Sequence, residues 1–269
     1  MENRIENAEL RAFVNRNFKR EFLVENLLPT NDTTDNKIAV LYGKAQVGKS
    51  QIAMQLAISV ACNIPFLCDR KYRINNSQKR PVLYIALEGG ELVTNEILQK
   101  QLLGFLDKGY NVDDFKKVEV IADGSIIKDY DPETASFYTL EKKLKEINPC
   151  LVIYDNISNI ANILGESLSS QRGINSVVMP FQELAKKYDF VNLFISHPTK
   201  NSRENDVYEM AGGHTLADFS HTILKLSKIE GECPNRLNLK IAKTNVLSNN
   251  EPNIRVVKSA KNLICETKE

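Results

Sequence analysis

Residues Leu41 to Ser50, "LYGKAQVGKS", decide how the chain is read. Two glycines enclose four residues, and a lysine and a hydroxyl follow the second at once. Glycine lets the main chain turn tightly and lie close to a ligand, so that successive N–H groups converge on one point. A helix beginning at Lys49 would add the positive end of its dipole at the same place. The spacing Gly-x4-Gly-Lys-Ser is the phosphate-loop pattern, and it requires a strand before it and a helix after it. Both are expected. "KIAVLYG" is a solid apolar run that stops at a glycine, and Ile52, Leu56 and Val60 fall four apart in "KSQIAMQLAISVAC". Gly43, Lys44, Ala45, Gln46, Val47, Gly48, Lys49, Ser50 and Gln51 are therefore the candidate contacts of ATP. Lys49 would reach the β and γ phosphates, and the Ser50 hydroxyl would be a ligand for Mg2+.

Such a loop needs a carboxylate at the end of a neighbouring buried strand to complete the metal's surroundings. Leu151, Val152, Ile153 and Tyr154 lead into Asp155, the second candidate metal ligand. A turn or N-cap acid is the other reading of that position. "VLYIALEGG" ends a further buried strand on Glu88, before two glycines. A carboxylate near the γ-phosphate and free of the metal can orient and polarise a water, which makes Glu88 the candidate base. Its alternative is an acid favoured at the start of a helix near Leu92.

Outward from these motifs, strand and helix patterns alternate. Leu92 to Leu103, Ala135 to Ile147 and Ser169 to Lys187 are helical in pattern, and Val118 to Ile121 and "FVNLFIS" are strands. Three shorter strands are expected at Thr222 to Leu226, Leu237 to Ile241 and Ile254 to Val257. Ile5 to Phe18 is an expected helix, followed by a linker through "LLPTNDTTDN" and a polar, basic loop from Asp69 to Arg80. Apolar strands between helices imply an α/β fold. Its mainly parallel sheet would carry helices on both faces and an antiparallel C-terminal extension, with residues 1–36 outside a domain of 37–269. Functional side chains then belong at the C-terminal ends of the strands.

With 35 basic and 34 acidic residues the formal charge is +1, so no net basic field draws in nucleic acid. Five cysteines without a CxxC pair suit neither a disulfide framework nor a zinc site and suggest a reducing compartment. The polar start "MENRIENAELR" does not read as a secretory signal, and no stretch has the roughly 20 apolar residues of a membrane span. A cytoplasmic protein without a membrane partner is expected.

From about Leu27 to Leu226, the loop, "PVLYIALEGG", "LVIYDNISNI" and "FISHPTK", in that order, resemble the RecA-like P-loop ATPases of the plasmid RepA and DnaB-type helicase branch. The resemblance implies a RecA-like core, a homo-oligomeric ring, hexameric most often, and single-stranded DNA as partner. It implies a γ-phosphate sensor at His197, for which a structural histidine is the other reading, and DNA contacts from loops at about Ser158 to Gly173 and Lys200 to Gly213. It further implies that Lys243, in "IAKTNV", completes the active site of a neighbouring subunit, a surface lysine being the alternative. Members of the branch often carry an arginine two residues later, where this chain has Asn245. Three functions follow: a minimal ring helicase or translocase in DNA replication, a RecA-like recombinase or annealing protein, and a nucleotide-gated loader without motor activity.

Overall fold

The computed structural model describes residues 10–12, 14–15, 21–30, 37–134, 136–199, 209–244 and 253–267. A nine-stranded sheet forms its centre. In chain order its strands are β1 (Ile38–Tyr42), β2 (Val82–Ala86), β3 (Val118–Ile121), β4 (Leu151–Asp155), β5 (Val191–Ser196), β6 (Thr222–Lys228), β7 (Arg236–Thr244), β8 (Asn253–Lys258) and β9 (Cys265–Thr267). Across the sheet they run β9-β8-β7-β6-β1-β5-β4-β2-β3. From β6 to β3 the neighbours are parallel, and from β6 to β9 they are antiparallel. This is the mainly parallel sheet with an antiparallel C-terminal extension that the sequence pattern implies.

Every residue of β1, β2, β4 and β5 is buried, because helices cover both faces. Helices α1 (Lys49–Cys62) and α2 (Gly90–Asp107) lie on one face. On the other lie α3 (Tyr138–Ile147), α4 (Ile157–Leu164), α5 (Gln171–Tyr188) and α6 (Gly213–Phe219). Alternation along each strand sorts the side chains between two cores. Ala39, Leu41, Tyr84, Ile153 and Ile195 meet Ile52, Leu56 and Phe105, whereas Val40, Ile85, Tyr154 and Phe194 meet Leu140, Ile160, Val177 and Phe181. Phe181 anchors the second core, with its ring 4.8 Å from those of Phe137 and Tyr154 and 5.7 Å from that of Phe194.

Several segments differ from their sequence patterns. The helix expected from Ala135, itself outside the described residues, starts at Tyr138, because Ser136 and Phe137 pair with Tyr130 and Asp131. Within the expected linker, Leu28–Pro29 pairs with Phe22–Val24, and Leu23, Val24, Leu27 and Leu28 enter the first core. The Asp69 to Arg80 loop is pinned down: Tyr72, Ile74 and Asn76 are buried, and the Asn76 amide donates to the carbonyls of Val60 and Arg80. Arg80 in turn donates to the carbonyls of Asn148, Pro149 and Tyr188.

The stretch expected as a DNA-contacting loop from Ser158 to Gly173 is mostly helix. Asn156 caps α4 by accepting from the Asn159 N–H at 3.0 Å, and Ser170 caps α5 by accepting from the Gly173 N–H at 3.0 Å. Only residues 165–170 connect the two. The companion loop falls at residues 200–208 outside the described residues, as does most of the helix expected over Ile5 to Phe18, of which Leu10–Ala12 and Val14 are described and helical. Among the described residues no helix is long and apolar enough to cross a membrane.

Candidate nucleotide site

The phosphate loop spans the gap between Tyr42, the last residue of β1, and Lys49, the first of α1. Its two glycines answer two separate demands. A Cβ at Gly43 would lie 2.3 Å from the Leu226 carbonyl oxygen on β6, and Gly48 holds φ at 107°. Val47 anchors the loop in the core, while Lys44, Ala45 and Gln46 form an exposed crest. Eleven of the fourteen residues of α1 are buried, so the loop sits on a helix held rigidly under the sheet.

Lys49 is 6% exposed, and its ammonium donates to the carbonyls of Gly43 at 2.9 Å and Lys44 at 3.1 Å. Its third neighbour is His197 Nδ1 at 3.2 Å, just beyond β5. Burial lowers the pKa of Lys49, while the charges of Asp155 and Glu88 act to raise it. An ammonium donating to Nδ1 leaves the ring proton of His197 on Nε2, which lies 3.3 Å from Glu88 Oε2. Asn156 Nδ2 donates to the same carboxylate oxygen. Lys49, His197 and Glu88 thus form one polar chain across the ends of three strands.

The two acids occupy different surroundings. Asp155 is 4% exposed; it accepts from the Tyr84 hydroxyl at 2.8 Å and hydrogen-bonds the Ser50 side chain. Burial raises its pKa, with the Ser50 and Tyr84 contacts opposing. Paired hard oxygens from Ser50 and Asp155 in a desolvated position, where a nearby cation would relieve the buried charge, fit a magnesium site shared with phosphate oxygens. Glu88 stands instead at the mouth, its side chain 55% exposed, where water reaches it. Burial therefore sets the two acids apart, Asp155 desolvated and Glu88 open to water. The Leu87 N–H donates to Asp155 O at 2.6 Å, and the Asn159 amide donates to Leu87 O at 2.7 Å, which fixes the turn carrying Glu88.

The fold brings together Gly43 to Gln51, Glu88, Asp155 and His197. It does not bring Lys243 to them. That residue pairs with Ile223 on β6, toward the end of the sheet away from the loop, and its ammonium donates to Ala217 O at 2.6 Å. Sequence reasoning missed Asn156 and Tyr84. Asn156 is within reach, since asparagine before an apolar helical run is an N-cap signal; the hydroxyl of Tyr84 meets Asp155 only through the pairing of β2 with β4.

A loop of this geometry between a parallel strand and a buried helix, with an acid ending a nearby strand, defines a P-loop nucleoside-triphosphatase fold. The chain belongs to the AAA domain family: the AAA_25 family model, described as an AAA domain, matches residues 6–203. It is thus an ATPase-type P-loop protein. A search of the curated proteins finds no match.

Proposed function

We propose that the protein is a Mg2+-dependent, ATP-hydrolysing RecA-like motor of the RepA and DnaB-type branch. In this reading it acts on single-stranded DNA as a minimal ring helicase or translocase in replication, a hexamer being the expected assembly. The observation that carries this reading is the chain from Lys49 through His197 to Glu88. A lysine that holds the γ-phosphate, a ring that touches the lysine, and a base that touches the ring give the segment after β5 a direct sense of nucleotide state.

In this reading the loop amides and Lys49 bind the triphosphate, and Glu88 accepts a proton from the attacking water. His197 holds Glu88 through Nε2–H and moves when Lys49 exchanges its loop carbonyls for phosphate oxygens. Ser50 and Asp155 would hold Mg2+, which when bound supplies positive charge against the charge developing on the phosphates. In a ring, Lys243 would leave Ala217 O and reach a neighbouring subunit's nucleotide.

A second reading, a nucleotide-gated loader without motor activity, is favoured by the hold of Ala217 on Lys243 within its own chain and by Asn245 in place of an arginine. ATP turnover with and without single-stranded DNA, alongside native mass, decides between them. DNA-stimulated turnover in a hexamer supports the motor. Slow, DNA-independent turnover supports the loader, and strand exchange without unwinding would instead indicate a recombinase.

A further inference from the structure

A lysine from the far flank of the sheet also reaches the phosphate loop. Lys258 ends β8, three strands from β1 on the side opposite to β5, β4 and β2. Its Nζ lies 4.0 Å from the position that a Cβ would occupy on Gly48, the residue that caps α1. Lys258 is half-buried, and among the described residues no hydrogen bond or ion pair engages its ammonium. Beside it, at 3.2 Å from the same Gly48 position, Gln51 Oε1 is buried without a hydrogen-bond partner. A half-buried cation held without an anion is unfavourable unless a ligand completes it.

The strand end that carries the lysine is held beside the loop, because its hairpin is fastened to α1. Gln55, fully buried in that helix, donates from Nε2 to Cys265 O at 2.8 Å and accepts through Oε1 from the Cys265 N–H at 2.8 Å. A side-chain amide thus takes the place of a strand partner for β9. One helix turn closer to the loop, the Gln51 carbonyl accepts from Gln101 Nε2 at 2.8 Å, and that amide also reaches Leu263 O at 3.3 Å. Cys265 pairs with Lys258 across β8 and β9, so the strand that carries the lysine is tied through β9 to the helix that carries the loop.

The geometry points to Lys258 as a nucleotide-binding residue, supplied by the chain's own C-terminal hairpin, that contacts the α- and β-phosphates shared by ADP and ATP. The inference rests on the phosphate-loop reading and adds the side from which the diphosphate is held. Glu88 and His197 close on the γ-phosphate from the β5 and β2 flank, whereas Lys258 closes from the other. A charged hydrogen bond of this kind corresponds to about 10- to 100-fold in affinity.

The test is calorimetric binding of ADP and of a non-hydrolysable ATP analogue, each with Mg2+, to wild type, Lys258→Ala, Lys258→Gln and Lys258→Arg. Circular dichroism melting serves as the fold control, and Lys258→Gln keeps the stem should alanine perturb the hairpin. Equal losses of about 10- to 100-fold for both nucleotides in the neutral variants, with most affinity kept in Lys258→Arg, are expected. Unchanged affinity in both neutral variants overturns the assignment, and so does a loss confined to the triphosphate. A wild-type protein that binds neither nucleotide overturns the phosphate-loop reading itself, a result distinct from either.

Discussion

His197 Nε2 lies 3.3 Å from Glu88 Oε2, although the two side chains follow strands that are not neighbours, β5 and β2, with β4 between them. The contact spans three adjacent strands at the C-terminal end of the parallel sheet, and Asn156, directly after β4, fills the middle by donating to the same carboxylate. Substituting Glu88 by glutamine keeps the shape of this bridge and removes the basic oxygen. Glu88→Gln should bind ATP with near wild-type affinity and lose about 10²- to 10⁴-fold in turnover. Steady-state phosphate release measured beside calorimetric binding checks this, and normal turnover would remove Glu88 from the mechanism.

Asp155 gives a prediction of opposite sign for stability and activity. Its folded pKa is raised, chiefly by burial, so the folded state favours the protonated acid more than the unfolded chain does. The stability this contributes is present below the ordinary carboxylate pKa and is lost as pH rises through the raised folded value. At neutral pH the charged form therefore opposes folding. Asp155→Asn keeps an acceptor for Tyr84 and removes the charge, so nucleotide-free protein should melt at a higher temperature at pH 8 while Mg2+-dependent turnover is lost. A melting temperature at or below wild type would contradict the assignment.

His221 provides a second pH signature, away from the site. It is 1% exposed, and burial, with the charge of Lys243 adding to it, lowers its pKa from 6.5 to about 4. Between those values the unfolded chain takes up a proton that the folded chain refuses, so His221 weakens the fold progressively as pH falls from about 6.5 to about 4. His221→Gln should flatten urea-derived stability over that window relative to wild type. An unchanged slope would show that the ring does not stay neutral.

Much of this arrangement is legible in the chain alone. β1 and β2 are solid apolar runs, β4 is apolar up to Asp155 and β5 is broken before Ser196 by Asn192 alone, since burial on both faces leaves little room for polar positions, and each leads into or ends on a candidate site residue within two positions of its end. What escapes the sequence is set by tertiary contacts. The three residues of β9 have as one partner the amide of Gln55, 210 positions away. The hairpin made with Leu28–Pro29 hides in a stretch rich in turn residues. Helix α4 occupies part of a stretch that the family resemblance assigns to a DNA-contacting loop, and its local signal is the cap Asn156, immediately after Asp155.

Phe181 tests whether the second core supports the site from beneath. Its ring meets Phe137, Tyr154 and Phe194, and Tyr154 and Phe194 lie on the strands that deliver Asp155 and His197. Phe181→Ala should cost about 3–5 kcal/mol in urea unfolding. A loss below 1 kcal/mol would mean that the cluster is not packed as described.

The most direct test of the account is calorimetric titration of a non-hydrolysable ATP analogue with Mg2+ into wild type and Lys49→Ala. Saturable one-to-one heat from wild type, absent in Lys49→Ala although that variant remains folded, is the outcome expected of a loop whose amides and lysine grip the phosphates. Equal binding by the two proteins, or no heat from wild type, would contradict it.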